Sequence, residues 1–419
     1  MEANLKTRRN RVTDALGSPV LDRATAAALC LAIGLRINIA GPFSTALVIP
    51  VLLIPVWLST VAPLGAKRIP ILGCLAIITG LMLNDAMAVT HEISTPVTLQ
   101  QITIILEVII GGGSLVWSRE TIGSAPTAFW FGLGMMGHEL VTGLSSDHAW
   151  KLDLSVPVTI CLLAASWWRG SFSTEIASVI TLALISAAND SRSAASILGM
   201  TMLVLLWQRW RSRAMGHSTP VRVLVQLAII GTFSYFVMQA FILEGFLGAA
   251  SEARSEAQLQ SSGSLLLGGR PEIGATVALL SVFPLGLGMG VVPSVGDVNV
   301  AKSGMMALNY DPNNGYVERY MFGGGIEVHS GIGDLWLRCG LVGLAFALVM
   351  LSTVIVGAAG KIAIGRCPAL IAMLAIQVAW DAMFSPFYYP ATQVLMVAIA
   401  LTVKVSRMKV KIRGMDSFH

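Results

Sequence analysis

Four basic side chains stand in segments whose residue types could do chemistry at a membrane surface. His329 lies in "EVHSGIGDLWLRCG", with Arg338 further along the same stretch; Arg270 lies in "LLGGRPEIG" and Arg192 in "ISAANDSRSAAS". Histidine takes up a proton near neutral pH, and as a general base it contributes roughly 10²–10⁴-fold. Two guanidinium groups can hold a diphosphate through bidentate hydrogen bonds, which a lysine ammonium cannot imitate. The set thus combines an anion-binding pair with a proton acceptor. Each member also has a plainer reading when taken singly. Arg192 can snorkel to lipid headgroups, Arg270 can be a solvated loop charge, and His329 can cap a helix or bond a carbonyl.

The elements that must position these residues are apolar. The 419-residue chain is 55% hydrophobic and 12% charged, where a soluble domain carries about a quarter charged residues. Hydrophobic blocks of membrane-spanning length recur from end to end, which predicts an all-α polytopic membrane protein. About twelve spans are expected, near 24–40, 43–61, 69–90, 97–117, 124–144, 153–169, 172–189, 193–210, 221–247, 331–358, 363–383 and 390–406. With the N-terminus in the cytoplasm, 20 of the 28 Lys and Arg residues fall on the cytoplasmic side. The positive-inside rule then puts both termini there. The net charge of +5 follows from that bias and needs no nucleic-acid partner. The five cysteines form no CxxC pair or Cys/His cluster, so no disulfide framework or zinc site is expected. The first apolar block has no cleavage site and reads as an uncleaved anchor.

One connection differs from the rest. The chain divides into a cytoplasmic N-terminal segment (1–23), nine spans (24–247), a large extracytoplasmic loop (248–330), three more spans (331–406) and a basic cytoplasmic tail (407–419). Within the loop, the run Ile273–Val292 is broken by Pro284 and four glycines, so it is expected to form a packed lid or interfacial helix followed by a glycine turn. The loop closes with "NYDPNNGYVERYMFGGGIEVHS", whose turn residues and aromatics suit contact with a sugar. Asp85, Glu107, His138, Glu139 and Asp381 fall inside proposed spans. Glu107 is the deepest, and with no identifiable partner it is assigned to helix–helix hydrogen bonding. Arg36, near the outer end of the first span, is expected to snorkel. No nucleotide-binding glycine loop, Ser–His–Asp order or metal cluster occurs.

Three segments together resemble the bacterial O-antigen ligase and O-antigen polymerase (Wzy-type) family. "HSGIGDLWLRCGLVG" is similar to its histidine signature, with His329, Gly340 and Gly343 at matching positions. "GGRPEIGATVALLSVFPLGLGMG" is similar to its Gly-Arg segment and glycine turn, and "ANDSRSAASILG" to its Ser-Arg motif. The likeness covers about forty residues in motif and most of the chain in architecture. There are departures: Ser330 stands for the usual Asn, Gly333 for a Leu, Arg338 for a frequent Glu, and no aromatic follows Arg270.

The resemblance implies an inverting, GT-C-like integral-membrane glycosyltransferase without cofactor, in the bacterial cytoplasmic membrane with its site on the extracytoplasmic face. The implied donor is a glycan on undecaprenyl diphosphate, and the implied acceptor is a glycan or lipid-linked sugar hydroxyl. The expected activity is polymerisation of surface polysaccharide repeat units, alongside other polysaccharide-assembly proteins. Attachment to lipid A core or another acceptor, as in a ligase, is the alternative. By the same resemblance Arg192 and Arg270 hold the diphosphate, His329 orients or deprotonates the acceptor, and Arg338 joins the substrate-binding set. From a different class, a secondary transporter or flippase for lipid-linked glycans also suits about twelve spans. Such a transporter would be expected to carry internal repeats, which this chain lacks.

Overall fold

The computed structural model describes residues 19–61, 67–145, 147–214, 218–243 and 269–404. The basic N-terminal segment up to 18, the part of the expected loop over 244–268 (Arg254 included) and the tail beyond 404 lie outside the described residues. The architecture is all-α, apart from a short hairpin of Asn38–Ala40 and Phe43–Ser44.

The helices in chain order are α1 (Pro19–Leu35), α2 (Thr45–Leu52), α3 (Ile54–Val61), α4 (Arg68–Met87), α5 (Thr95–Leu106), α6 (Gly112–Ile122), α7 (Ser124–Thr142), α8 (Ser155–Arg169), α9 (Phe172–Ala188), α10 (Arg192–Ala214) and α11 (Pro220–Leu243). Then follow α12 (Glu272–Val282), α13 (Val295–Met306), α14 (Gly331–Ala363), α15 (Ala369–Phe384) and α16 (Ala391–Thr402). A single wide turn, Glu107–Gly111, joins α5 to α6 as one continuous rod. The second expected span is two short helices, because the chain breaks at Leu53 between α2 and α3.

Among the described residues, three rods are long and apolar enough to cross a membrane: Arg68–Met87, Thr95–Ile122 and Gly331–Ala363. Helix α4 shows why this is a membrane protein. Ile71, Leu75, Ile78 and Met82 recur every three or four residues and are exposed, while Gly73, Ala76, Gly80 and Asn84 form the buried stripe. Large apolar side chains outward and small residues inward suit a helix with lipid on one face and close-packed backbone on the other. The buried stripe meets α14: a Cβ on Gly80 would lie 3.0 Å from the Arg338 carbonyl oxygen, and one on Gly73 3.2 Å from the Phe346 ring.

Helix α14 kinks at Gly340, whose φ of 64° and ψ of −155° are not helical. The kink takes carbonyls out of the helical ladder, and other groups answer them. Leu287 and Gly288 donate their N–H to Leu337 O at 2.6 and 3.0 Å, and Thr79 Oγ1 donates to Cys339 O at 2.9 Å. The glycine turn after α12 therefore docks in the bend. Asn84 holds the same turn from the other side, accepting from Gly290 N at 2.9 Å and donating to Thr98 Oγ1 at 3.1 Å.

Residues 270–328 have a small core of their own, built from Ala275, Leu279, Leu287, Val291, Ala301, Met305, Val317, Met321, Ile326 and Val328 with Leu337 of α14. Helices α12 and α13 cross at Gly274 and Gly304, where a Cβ on either would meet the other's carbonyl oxygen at 2.1 Å. This unit sits on the end of the bundle at which α14 begins.

Candidate active site

The start of α14 is tightly specified. Ser330 is its N-cap, with φ −142°, and its hydroxyl accepts from Gly333 N at 3.1 Å. The same hydroxyl donates to Ala382 O of α15 at 3.1 Å. Asp334, fully buried, accepts Val328 N on one oxygen and Phe387 N on the other, each at 2.7 Å. One carboxylate thus clamps the segment before His329 to the turn between α15 and α16. The cap is Ser330, so His329 does not perform that task.

His329 instead has φ 53°, the left-handed region that bulky residues seldom adopt. Held that way, its ring Nδ1 lies 3.4 Å from the Tyr316 hydroxyl and 3.9 Å from Glu272 Oε1. Nε2 lies 3.4 Å from the Tyr320 carbonyl. Tyr316 donates to Glu272 Oε1 at 2.6 Å. The second oxygen, Glu272 Oε2, is buried and makes no hydrogen bond. Burial and the adjacent Glu272 carboxylate push the Tyr316 phenol up, so it remains a donor. At these lengths both ring nitrogens of His329 are only weakly held by the protein.

Arg270, two residues before Glu272, donates to Phe384 O at 3.3 Å and stacks 5.5 Å over the Trp380 ring. Tyr316, Tyr320 and Tyr310 line the neighbouring surface, with ring centroids 5.4 and 6.1 Å from Tyr316 to the other two. Directly beyond Ser330 a narrow apolar groove runs between α14, α15 and α16, lined by Ile332, Leu335, Met350, Val378, Phe387 and Leu395 among others. Asp381 opens onto it; one oxygen is bonded to Gln377 and Ser385, and the other has no hydrogen bond.

Of the expected site residues, the structure brings His329 against the segment that carries Arg270, through Glu272 and Tyr316, while the Arg270 side chain itself turns to Phe384 O and the Trp380 ring. Arg192 begins α10 at the same end of the bundle, since the far end of that helix bonds the end of α14 through Arg211 and the turn after it, at Cys367, through Gln208. Its side chain is 37% exposed and pairs with Asp190 at 3.8 Å, so Arg192 does not join the His329 contacts. Arg338 departs from the expected substrate contact. It is 2% exposed and donates to Ile326 O at 2.6 and 3.0 Å and to Gln101 at 2.8 Å, with Asp334 at 3.7 Å. Its guanidinium is consumed by the protein itself, holding the Ile326–Val328 segment below His329.

Two other expectations are corrected. Arg36 does not snorkel: its side chain is 11% exposed and donates to Glu107 Oε2 at 3.0 Å. Glu107 accordingly has a charged partner, and Ser44 donates to its other oxygen. The pair lies beside Tyr388 and Tyr389, whose rings are each 5.9 Å from the Arg36 guanidinium. Glu272 and Tyr316 went unselected in the sequence because neither sits in a recognisable spacing with His329; 57 and 13 positions separate them from it. The local signals were an acidic residue directly after Arg270-Pro271 and the aromatics of the loop's closing stretch, Tyr316 among them.

No group of three or more His, Cys, Asp or Glu side chains able to hold a metal occurs among the described residues. Comparison with family models, with curated proteins and with solved structures found no match.

Proposed function

We propose that this membrane protein is an inverting glycosyltransferase. It moves a glycan from undecaprenyl diphosphate to a sugar hydroxyl and extends surface polysaccharide at the extracytoplasmic face of the bacterial cytoplasmic membrane. The observation that carries the reading is the convergence of two distant segments: the Gly-Arg segment packs against the His329 signature, with Glu272 and Tyr316 behind the imidazole. The expected arrangement of about twelve spans, both termini cytoplasmic, belongs to the same proposal. In support of it, helices occur at nearly every stretch expected to span.

The acceptor oxygen attacks the anomeric carbon from the side opposite the diphosphate. The bond from that carbon to the diphosphate oxygen breaks, and the acceptor proton passes to His329. Glu272 lies near enough to favour the imidazolium so formed. Arg270 and Arg192 meet the charge that develops on the leaving diphosphate, which stabilises the transition state more than the ground state. Arg338 acts on none of these atoms; it positions the chain that carries His329. The apolar groove beside Ser330 suits the hydrocarbon part of such a donor.

The test is genetic. The gene is deleted, wild type or His329→Ala is restored at matched membrane levels, and surface and lipid-linked glycans are compared by gel and mass spectrometry. Single repeat units that persist with the variant support a polymerase. Long chains stranded on the lipid carrier indicate a ligase. Full restoration by the variant overturns the catalytic role and favours a transporter.

A further inference from the structure

The end of the bundle opposite His329 carries a buried cation with no anionic partner among the described residues. Arg211, near the end of α10, is 1% exposed. Its Nη2 donates to the carbonyls of Ile362 and Ala363, closing the last turn of α14. That accounts for one nitrogen. Nε and Nη1 are buried and make no hydrogen bond. The aromatic ring nearest the guanidinium, Trp207, lies 5.2 Å away and cannot accept those hydrogens in-plane.

Ser218 belongs to the same spot, because its N–H donates at 3.1 Å to the Ala363 oxygen that Arg211 also bonds. The Ser218 hydroxyl is likewise buried without a hydrogen bond. Arg222, in the first turn of α11, is near enough to repel Arg211 electrostatically. One turn further along α11, the Gln226 side-chain oxygen is buried and unbonded as well. Unused donors from an arginine and a serine, two mutually repelling cations and no paired carboxylate among the described residues make a costly arrangement for a protein to keep by itself.

We infer that Arg211, Ser218 and Arg222 form a binding site for a phosphate group, and that its source is the headgroup of an anionic phospholipid. A phosphodiester supplies the acceptor oxygens that Arg211 Nε–H, Nη1–H and Ser218 Oγ–H lack, and its charge relieves the Arg211–Arg222 repulsion. A headgroup that carries hydroxyls can also donate to Gln226. The position suits a lipid, because exposed apolar side chains, among them Val221, Val225 and Ile229 of α11, flank the cations. Basic pockets between membrane helices recognise lipid headgroups by this chemistry. The inference does not depend on what reaction occurs at His329.

The full-length protein purified in detergent is the material for the test. Native mass spectrometry and thermal unfolding are recorded with added phosphatidylglycerol, phosphatidylethanolamine or inorganic phosphate. Retention of phosphatidylglycerol and a rise in Tm are expected, with at least tenfold weaker apparent binding in Arg211→Gln. Since Arg211 also closes α14, Ser218→Ala and Arg222→Gln are measured beside it; both leave that closure intact and should still weaken binding. Arg366→Gln, an exposed cation on the same end, should not. Equal stabilisation by inorganic phosphate with no retained lipid would keep the phosphate site but assign it to a soluble anion. Equal loss in Arg366→Gln, or no difference between the two phospholipids and no response to phosphate, would overturn the site.

Discussion

Glu107 and Glu272 are both buried carboxylates that receive a hydroxyl on one oxygen, Ser44 on the first and Tyr316 on the second. They part at the other oxygen. Glu107 accepts from Arg36 there, and both its oxygens are used. Glu272 Oε2 has no hydrogen bond, and the nearest cationic candidate, His329, stands 3.9 Å from its other oxygen. A saturated pair fastens helices together, and removing one partner strands a charge in a poorly solvated place. A half-used carboxylate beside a histidine in a strained backbone conformation holds interaction in reserve, which is the state expected of a group that must respond when a proton arrives.

The largest effect that would break this contrast is on stability. Glu107→Ala or Arg36→Ala should cost about 3–5 kcal/mol, seen as a sharp fall in Tm and in recovered folded protein. Replacing both together with uncharged residues of similar size should recover much of the loss. If the single variants unfold like wild type, Glu107 is no fastening.

At the other carboxylate the expected losses are in rate. His329→Ala should lower glycan transfer by roughly 10²–10⁴-fold while Tm stays near wild type. Glu272→Gln should leave Tm unchanged or slightly raised, because an incompletely paired charge is removed, yet slow transfer by a smaller factor. A fall in Tm for Glu272→Gln as large as that for Glu107→Ala would erase the distinction.

Gly340→Ala reaches the cleft without touching either carboxylate. The residue has φ 64°, and a Cβ there would lie 2.6 Å from the Leu285 carbonyl oxygen. A cost of about 1–3 kcal/mol is expected, together with loosening of the glycine turn, readable as faster hydrogen exchange at Leu287 and Gly288.

The smallest expected effect is a pH dependence at Glu327. Burial raises its carboxyl above the usual range, with Arg338 and His329 partly opposing this. A raised carboxyl pKa means the folded state binds the proton more tightly than the unfolded chain. Stability from this group is therefore full at low pH and is lost as pH rises through the raised value. The drop in Tm between pH 5 and pH 8 should be smaller in Glu327→Gln than in wild type.

Much of the frame was legible in the chain. Apolar blocks of sufficient length become helices within a few residues of the expected limits, because in lipid the backbone must satisfy its own hydrogen bonds. The broken run at Ile273–Val292 became a helix and a glycine turn for the reason visible in Pro284 and its glycines. His329 and Arg270 could be singled out from type and setting. Their backing could not. Arg338 looked available because its charge was visible and its partners, two of them main-chain carbonyls of Ile326 and Phe387, were not. Arg36 and Glu107 lie 71 positions apart and meet only because the hairpin after α1 folds back against the wide turn between α5 and α6.

By itself the sequence determined which segments are helical and which glycines interrupt the apolar runs, since those depend on local steric rules and on hydropathy read a few residues at a time. The tertiary structure alone decided that Glu272 and Tyr316 stand behind His329, that Arg338 is spent on carbonyls, and that Arg211 keeps two nitrogens unbonded. Each of these is a distance between residues far apart in the chain, set by how helices cross rather than by any local preference.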